Sequence, residues 1–191
     1  MPSLIKIIKG LKINYDARIL DVGCGGGYVA GELSKLGFDQ IWAFDASESG
    51  ISVCRQSSPE IATHFAVHDV YDRHLPEAFP DTYDLVLSFE VIEHCISPAT
   101  FMENIRSWLR PGGYLVLSTP YHGYWKNFAL SLFDKWDKHH TVDWEGGHIK
   151  FFSKDTLFRL CGTIGLNPLY FLGSGRIPYL WKSMIAVAQK Q

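Results

Sequence analysis

Short apolar runs alternate with helix-like patterns along most of this chain, and that alternation restricts it to a parallel sheet covered by helices. Arg18–Val22 reads as a buried strand, followed by a helix over Tyr28–Leu36 that Gly37 stops. Strands over Ile41–Phe44 and His64–Val67 flank a helix at Gly50–Gln56. Tyr83–Ser88 is a fourth strand, too apolar for an exposed edge. A helix over Pro98–Leu109 is stopped by Arg110-Pro111-Gly112-Gly113, ahead of a fifth strand at Tyr114–Ser118. Ser3–Leu11 and Lys154–Thr163 carry helical periodicity, and Leu169–Gly173 with Ser183–Gln189 reads as an antiparallel pair of strands at one edge. No Pro/Gly/Ser-rich linker divides residues 1–191, so the expectation is one α/β domain with a long aromatic-rich insertion at 120–150.

Composition removes several function classes. A net charge of −2 offers no bulk electrostatic attraction for a polyanion, so a nucleic-acid partner is not expected. Cys24, Cys54, Cys95 and Cys161 show no paired spacing, which argues against a disulfide framework or a Cys-rich zinc site and suits a reducing cytoplasm. Lys6, Lys9 and Lys12 interrupt the N-terminal segment before a secretory signal can develop, and no apolar run is long enough to span a membrane.

The segment Asp21-Val22-Gly23-Cys24-Gly25-Gly26-Gly27 runs from a strand into a helix. Glycines there allow a tight turn and bring backbone N–H groups against a ligand, next to the positive end of the helix. Asp45, at the tip of the second strand, is placed to accept hydrogen bonds from two ribose hydroxyls. Gly25-x-Gly27-x-x-Ala30 also satisfies a relaxed dinucleotide fingerprint, so the glycines alone leave a nicotinamide-type oxidoreductase open.

Four further features separate the two readings. Asp21 puts an acid ahead of the turn, where it repels a pyrophosphate and suits a cationic ligand. Asp69-Val70 ends the third strand, with a carboxylate for an adenine amino group and an apolar side chain for the ring. Glu90-Val91-Ile92-Glu93-His94 follows the fourth strand, and Leu109-Arg110-Pro111-Gly112-Gly113-Tyr114-Leu115 precedes the fifth. Together LDVGCGGG, FDAS, HDV, YDLVLSFEVIEH and LRPGGYLVLSTP resemble class I S-adenosylmethionine-dependent methyltransferases over roughly residues 17–120. The resemblance implies a Rossmann-like three-layer sandwich whose seven-stranded, mostly parallel sheet has an antiparallel last strand. It further implies S-adenosylmethionine held by Asp21, Gly23, Gly25, Gly27, Asp45, Ala46, Asp69, Val70 and Phe89.

Within that class the chain is most similar to O-methyltransferases of ubiquinone biosynthesis. The likeness rests on Glu90 to His94, on Thr119-Pro120, and on Asp143-Trp144-Glu145. Gly147-His148-Ile149-Lys150-Phe151-Phe152-Ser153 resembles a wider set acting on varied small molecules, so the expected partner is a small-molecule acceptor. A scaffold that binds the cofactor without turnover is the rival class of explanation; the intact Asp21, Asp45 and Asp69 speak against it.

A hydroxyl acceptor must lose a proton, and His94, just past a strand tip on the cofactor side, is the first candidate base. His122 and His148, at the two ends of the insertion, are further candidates, and Glu90, Glu93 and His94 also suit a hard cation. His139-His140 reads as solvated. Apolar residues at 124, 125, 128, 129, 132, 133 and 136 form a helical stripe. Packing into the core, a substrate lid and contact with a membrane surface are the three readings of it.

Overall fold

The computed structural model describes residues 1–140 and 146–191. Seven strands form one sheet: β1 (Ile19–Val22), β2 (Ile41–Asp45), β3 (Phe65–Val67), β4 (Tyr83–Phe89), β5 (Leu109–Pro120), β6 (Leu166–Ser174) and β7 (Ser183–Lys190). Their order is β3-β2-β1-β4-β5-β7-β6. All pairings from β3 to β5 are parallel, and β7 lies antiparallel between β5 and β6. The late antiparallel pair therefore forms one edge as expected, with the last strand inserted inside the first of the two.

Alternation along the strands separates two cores. Leu20, Val22, Trp42, Phe44, Val86, Leu115 and Leu117 face α4 (Pro98–Trp108) and α7 (Lys154–Thr163). Their neighbours Ile19, Ile41, Ala43, Leu85, Leu87 and Val116 face α1 (Pro2–Gly10), α2 (Tyr28–Lys35) and α3 (Glu48–Ser57). A period of two with both faces covered explains why these strands read as unbroken apolar runs. The result is the three-layer sandwich. Burial of Phe101 from α4, which has no exposed surface, contributes roughly 1.5–3 kcal/mol by transfer alone.

Two sequence expectations are corrected. Residues 110–113 do not separate a helix from a strand. Leu109 already pairs with Tyr83, and pairing resumes at Tyr114 with Leu85, so Arg110-Pro111-Gly112-Gly113 bulges out within β5. A bulge is where a sheet tolerates proline, because no ladder bond is lost. The stripe beyond β5 also faces the other way. α5 (Tyr124–Leu132) and α6 (Trp136–His140) leave Tyr124, Trp125, Phe128, Leu132 and Phe133 exposed, while Lys126 is the buried residue of α5. Packing of the stripe into the core is thereby overturned. The Asp143-Trp144-Glu145 element lies outside the described residues.

α7 begins with a capping box: Ser153 Oγ accepts from Thr156 N, and Thr156 Oγ1 accepts from Ser153 N. Ser153→Ala should lower stability by about 1 kcal/mol. A urea melt is expected to show a lower midpoint with unchanged slope.

Candidate functional site

The chain leaves β1 for β2 and β3 on one side, then returns through β4 to the other, so the carboxyl ends of β1 and β4 form a topological switch point where open α/β sheets bind ligands. A cavity of about 560 Å³ opens there, lined by residues that include Asp21, Gly23, Gly25, Asp45, Ala46, Val70, Phe89 and His94.

The glycine turn is stitched to the tip of β2. Gly23 N and Cys24 N both donate to the Phe44 carbonyl, at 2.9 and 3.0 Å. Asp45 completes the seam: its Oδ2 accepts from Gly25 N at 2.8 Å and its Oδ1 from Ser47 N at 2.9 Å. Gly23, Gly25 and Gly27 all have positive φ (72°, 54° and 75°), but they serve different ends. A Cβ at Gly25 would meet nothing within 4 Å, so that position faces the open cavity. A Cβ at Gly27 would lie 2.8 Å from Cys54 Sγ. Gly27 thus lets α2 and α3 close on each other, and it does not line the cavity.

Asp69 also stands apart from the cavity wall: it is exposed, and its Oδ1 accepts from Tyr71 N at 2.9 Å. Its neighbours Val70 and Tyr71 do line the wall. Tyr28, Val29, Tyr71, Val91 and Cys95 complete the wall without having been singled out in the sequence. For Tyr28, Val29, Tyr71 and Val91, their place directly after GGG, HDV and FE was the available signal.

Asp21 is buried, and its Oδ2 has no hydrogen-bond partner among the described residues. Burial first, and Asp45 second, push its carboxyl up to about 7. An unpaired acid at the wall, an open backbone position at Gly25 and a carboxylate at Asp45 fit a ligand with a cationic end and a ribose.

Beyond β4 the chain turns through Glu90, whose φ of 57° is a sparsely populated conformation for a side chain with a Cβ. The turn is held because Glu90 N donates to the Ser118 carbonyl and Ser118 Oγ donates to Glu90 Oε1 at 2.7 Å. His94 follows on a single 3-10 turn (Ile92–His94) and presents its ring to the cavity. Its Nδ1 lies 3.2 Å from the Gly147 carbonyl, which can only accept, so in the neutral ring Nδ1 is the donor and Nε2 the acceptor. The Glu93 carbonyl accepts from Ile149 N and Lys150 N, at 2.9 and 3.0 Å, and fixes this far end of the insertion. His148 then packs edge-on to His94, with ring centroids 5.0 Å apart.

The cation set read from sequence is rearranged. Glu90 is engaged with Ser118, and it is Glu93, His94 and His148 that bring ligand-type atoms within 4.8 Å of one another. Glu93 is fully buried, and burial pushes its carboxyl up to about 8, with Glu90 adding to the effect. His122 lines neither this cavity nor the adjoining one of about 380 Å³, which shares Tyr28, Val29, Phe89 and Glu90. It lies instead with His139 and His140, and His140 is buried, so the pair at 139–140 is not the solvated dipeptide expected. Burial pushes His122 and His139 down to about 4, and both are neutral near pH 7.

A fold and cavity of this kind are those of nucleoside-binding α/β methyltransferases, and comparison with known proteins agrees. The family profile described as "Methyltransferase domain" matches residues 4–170. A ubiquinone biosynthesis O-methyltransferase of Ruegeria sp. (strain TM1040) is 31% identical over 174 residues, which is 88% of this chain and 68% of that protein. The chain spans about two thirds of the length of the curated relatives it matches. Its fold is similar to magnesium protoporphyrin IX methyltransferase from Synechocystis PCC 6803, solved with bound S-adenosylhomocysteine, at a TM-score of 0.74 and 16% identity over 100% of this chain and 81% of that one. A putative methyltransferase from Bacillus halodurans C-125 gives a TM-score of 0.75 at 16% identity, covering 100% and 99% of the two chains. The chain belongs to the methyltransferase domain family, and it is an S-adenosylmethionine-dependent enzyme. That sets aside the nicotinamide-type oxidoreductase and the scaffold without turnover.

Asp45→Ala removes two charge-assisted hydrogen bonds, each worth roughly 1.5–3 kcal/mol, and should weaken S-adenosylhomocysteine binding by about 100-fold or more in calorimetry. For Asp21 the sign runs with pH. Its folded-state pKa stands above the ordinary 3.8, so the free protein loses stability as pH rises from there towards 7. A cation bound beside it favours the ionised form. Affinity for S-adenosylmethionine should therefore rise with pH up to about 7 and then level off, and Asp21→Asn should flatten that profile.

Proposed function

We propose that this enzyme methylates an oxygen of a small acceptor, with His94 as the base. The observation that carries the reading is the contact between His94 Nδ1 and the Gly147 carbonyl, which in the neutral ring leaves Nε2 to receive a proton at the cavity wall. S-adenosylmethionine supplies an electrophilic methyl carbon when bound. Asp21 offsets positive charge at one end of the cavity, Asp45 orients the glycine turn and a ribose, and Phe89 lies between the two cavities. Glu90 lines both, and its carboxylate, braced by Ser118, can accept from an acceptor hydroxyl. His148 packs edge-on against the His94 ring and holds it in place. Alignment of acceptor oxygen and methyl carbon in such a site can supply roughly 7–11 kcal/mol of the barrier. The matched relatives named for ubiquinone biosynthesis support oxygen as the nucleophile and a phenolic compound as one acceptor to test.

Release of S-adenosylhomocysteine over a panel of catechols, phenols, carboxylic acids and amines tests the reading. Turnover is expected with a catechol or phenol, and His94→Gln should lower kcat by about 10²–10⁴ with little change in cofactor affinity. Turnover confined to amines, or a His94→Gln enzyme as fast as the parent, would remove it.

A further inference from the structure

Apart from the cavity, three imidazoles converge where the insertion leaves the sheet. His122 follows the end of β5, and His139 and His140 close α6. One ring nitrogen from each lies within 4.8 Å of the other two. The rings are packed pairwise, with centroids at 5.8, 5.4 and 4.9 Å. Zn–N bonds of about 2.0–2.1 Å place tetrahedral ligand atoms ~3.3 Å apart, so rotations moving each ring by about an ångström would complete the set.

His122 is the anchor. It is only 6% exposed, and its Nε2 is buried without a hydrogen-bond partner among the described residues. Its other nitrogen, Nδ1, lies 3.4 Å from Asn127 Oδ1, and Asn127 Nδ2 donates back to the His122 carbonyl. That is how metal-binding histidines are oriented: one nitrogen donates to an oxygen and the other keeps its lone pair for the ion. The surroundings narrow the choice of ion. Lys126 is buried nearby, donating to the Lys182 carbonyl at 3.3 Å, and its charge opposes a weakly held cation. Three imidazoles beside an ammonium suit an ion that binds nitrogen strongly, and do not suit Mg²⁺ or Ca²⁺, which require oxygen.

We propose that His122, His139 and His140 form a zinc site that clips α6 to the exit of β5. Such a clip would fix the otherwise lightly packed α5–α6 segment against the sheet, apart from the end of the insertion where His148 packs on His94. It is independent of the methyl acceptor and of the His94 assignment.

Binding is tested on full-length protein stripped with a chelator and then titrated with Co²⁺ and, in competition with a chromophoric chelator, with Zn²⁺. The expected result is a single equivalent of Co²⁺ showing the intense visible d–d bands of a low-coordinate nitrogen site, displaced by Zn²⁺. His139→Ala, at a part-buried position on a short peripheral helix, should keep the circular dichroism of the parent and weaken Zn²⁺ binding by at least ~100-fold. Asn127→Ala, which keeps all three ligands, should weaken it by about 10–100-fold. The double variant His94→Ala/His148→Ala removes the other pair of imidazoles and should bind as the parent does. No binding by the parent, unchanged affinity in His139→Ala, or loss confined to the His94/His148 variant would overturn the proposal.

Discussion

The Asp45 carboxylate is the tie on which the cavity depends. One oxygen receives Gly25 N–H and the other receives Ser47 N–H, so a single side chain at the tip of β2 fixes both the glycine turn and the start of α3. Ser47 then caps α3 by accepting from Gly50 N. Remove the carboxylate and two orphan donors remain at the cavity rim, with the turn held only by Gly23 and Cys24 on the Phe44 carbonyl. Each carboxylate oxygen accepts one of these bonds, and a carboxylate offers about four lone-pair sites. The same group can therefore brace its own loop and still accept from ribose hydroxyls.

Strain and burial are concentrated around that tie. Asp21 sits unpaired behind the turn, and Glu90 adopts a left-handed conformation in front of it. Neither is favourable locally; both are held by neighbours that the sheet positions. β5 fixes Glu90 through two bonds with Ser118, one in each direction, and β4, whose Leu87 pairs with Asp21, delivers it three residues further on. For a buried wall acid such as Asp21, whose carboxyl is pushed up by burial, a cationic ligand is the missing stabilising charge.

Most of this was legible from residue order, because buried parallel strands and capped helices leave period and punctuation in a sequence. α7 runs over the expected residues, and β1, β2 and β4 fall within a residue or so of expectation. The misreadings share a cause: tertiary neighbours decided what local pattern could not. Proline and two glycines at 111–113 looked like a boundary, yet a register shift absorbs them within β5. Gly27 belongs to the glycine signature, but its Cβ is excluded by Cys54, which lies 27 residues further along the chain. Asp69 ends a strand-like run, but the chain turns there and offers Val70 and Tyr71 to the wall instead.

The insertion shows the limit of pattern reading most clearly. A helical stripe identifies a helix and says nothing of which side faces the protein. In α5 the buried position is Lys126, drawn in by the Lys182 carbonyl and set among histidines, while the aromatic face is left outside. The histidines at 122, 139 and 140 are separated in sequence by a whole helix, so no spacing rule brings them together; only the turn between α5 and α6 does. At its other end the insertion is held by three backbone bonds: Ile149 and Lys150 to the Glu93 carbonyl, and His122 N to the Phe152 carbonyl. His148 is placed beside His94 by the first two, and His122 is locked by the third. One insertion thus supplies the ring that packs on His94 and the members of a separate histidine cluster, and the backbone bonds of residues 149, 150 and 152 hold its return to the fold.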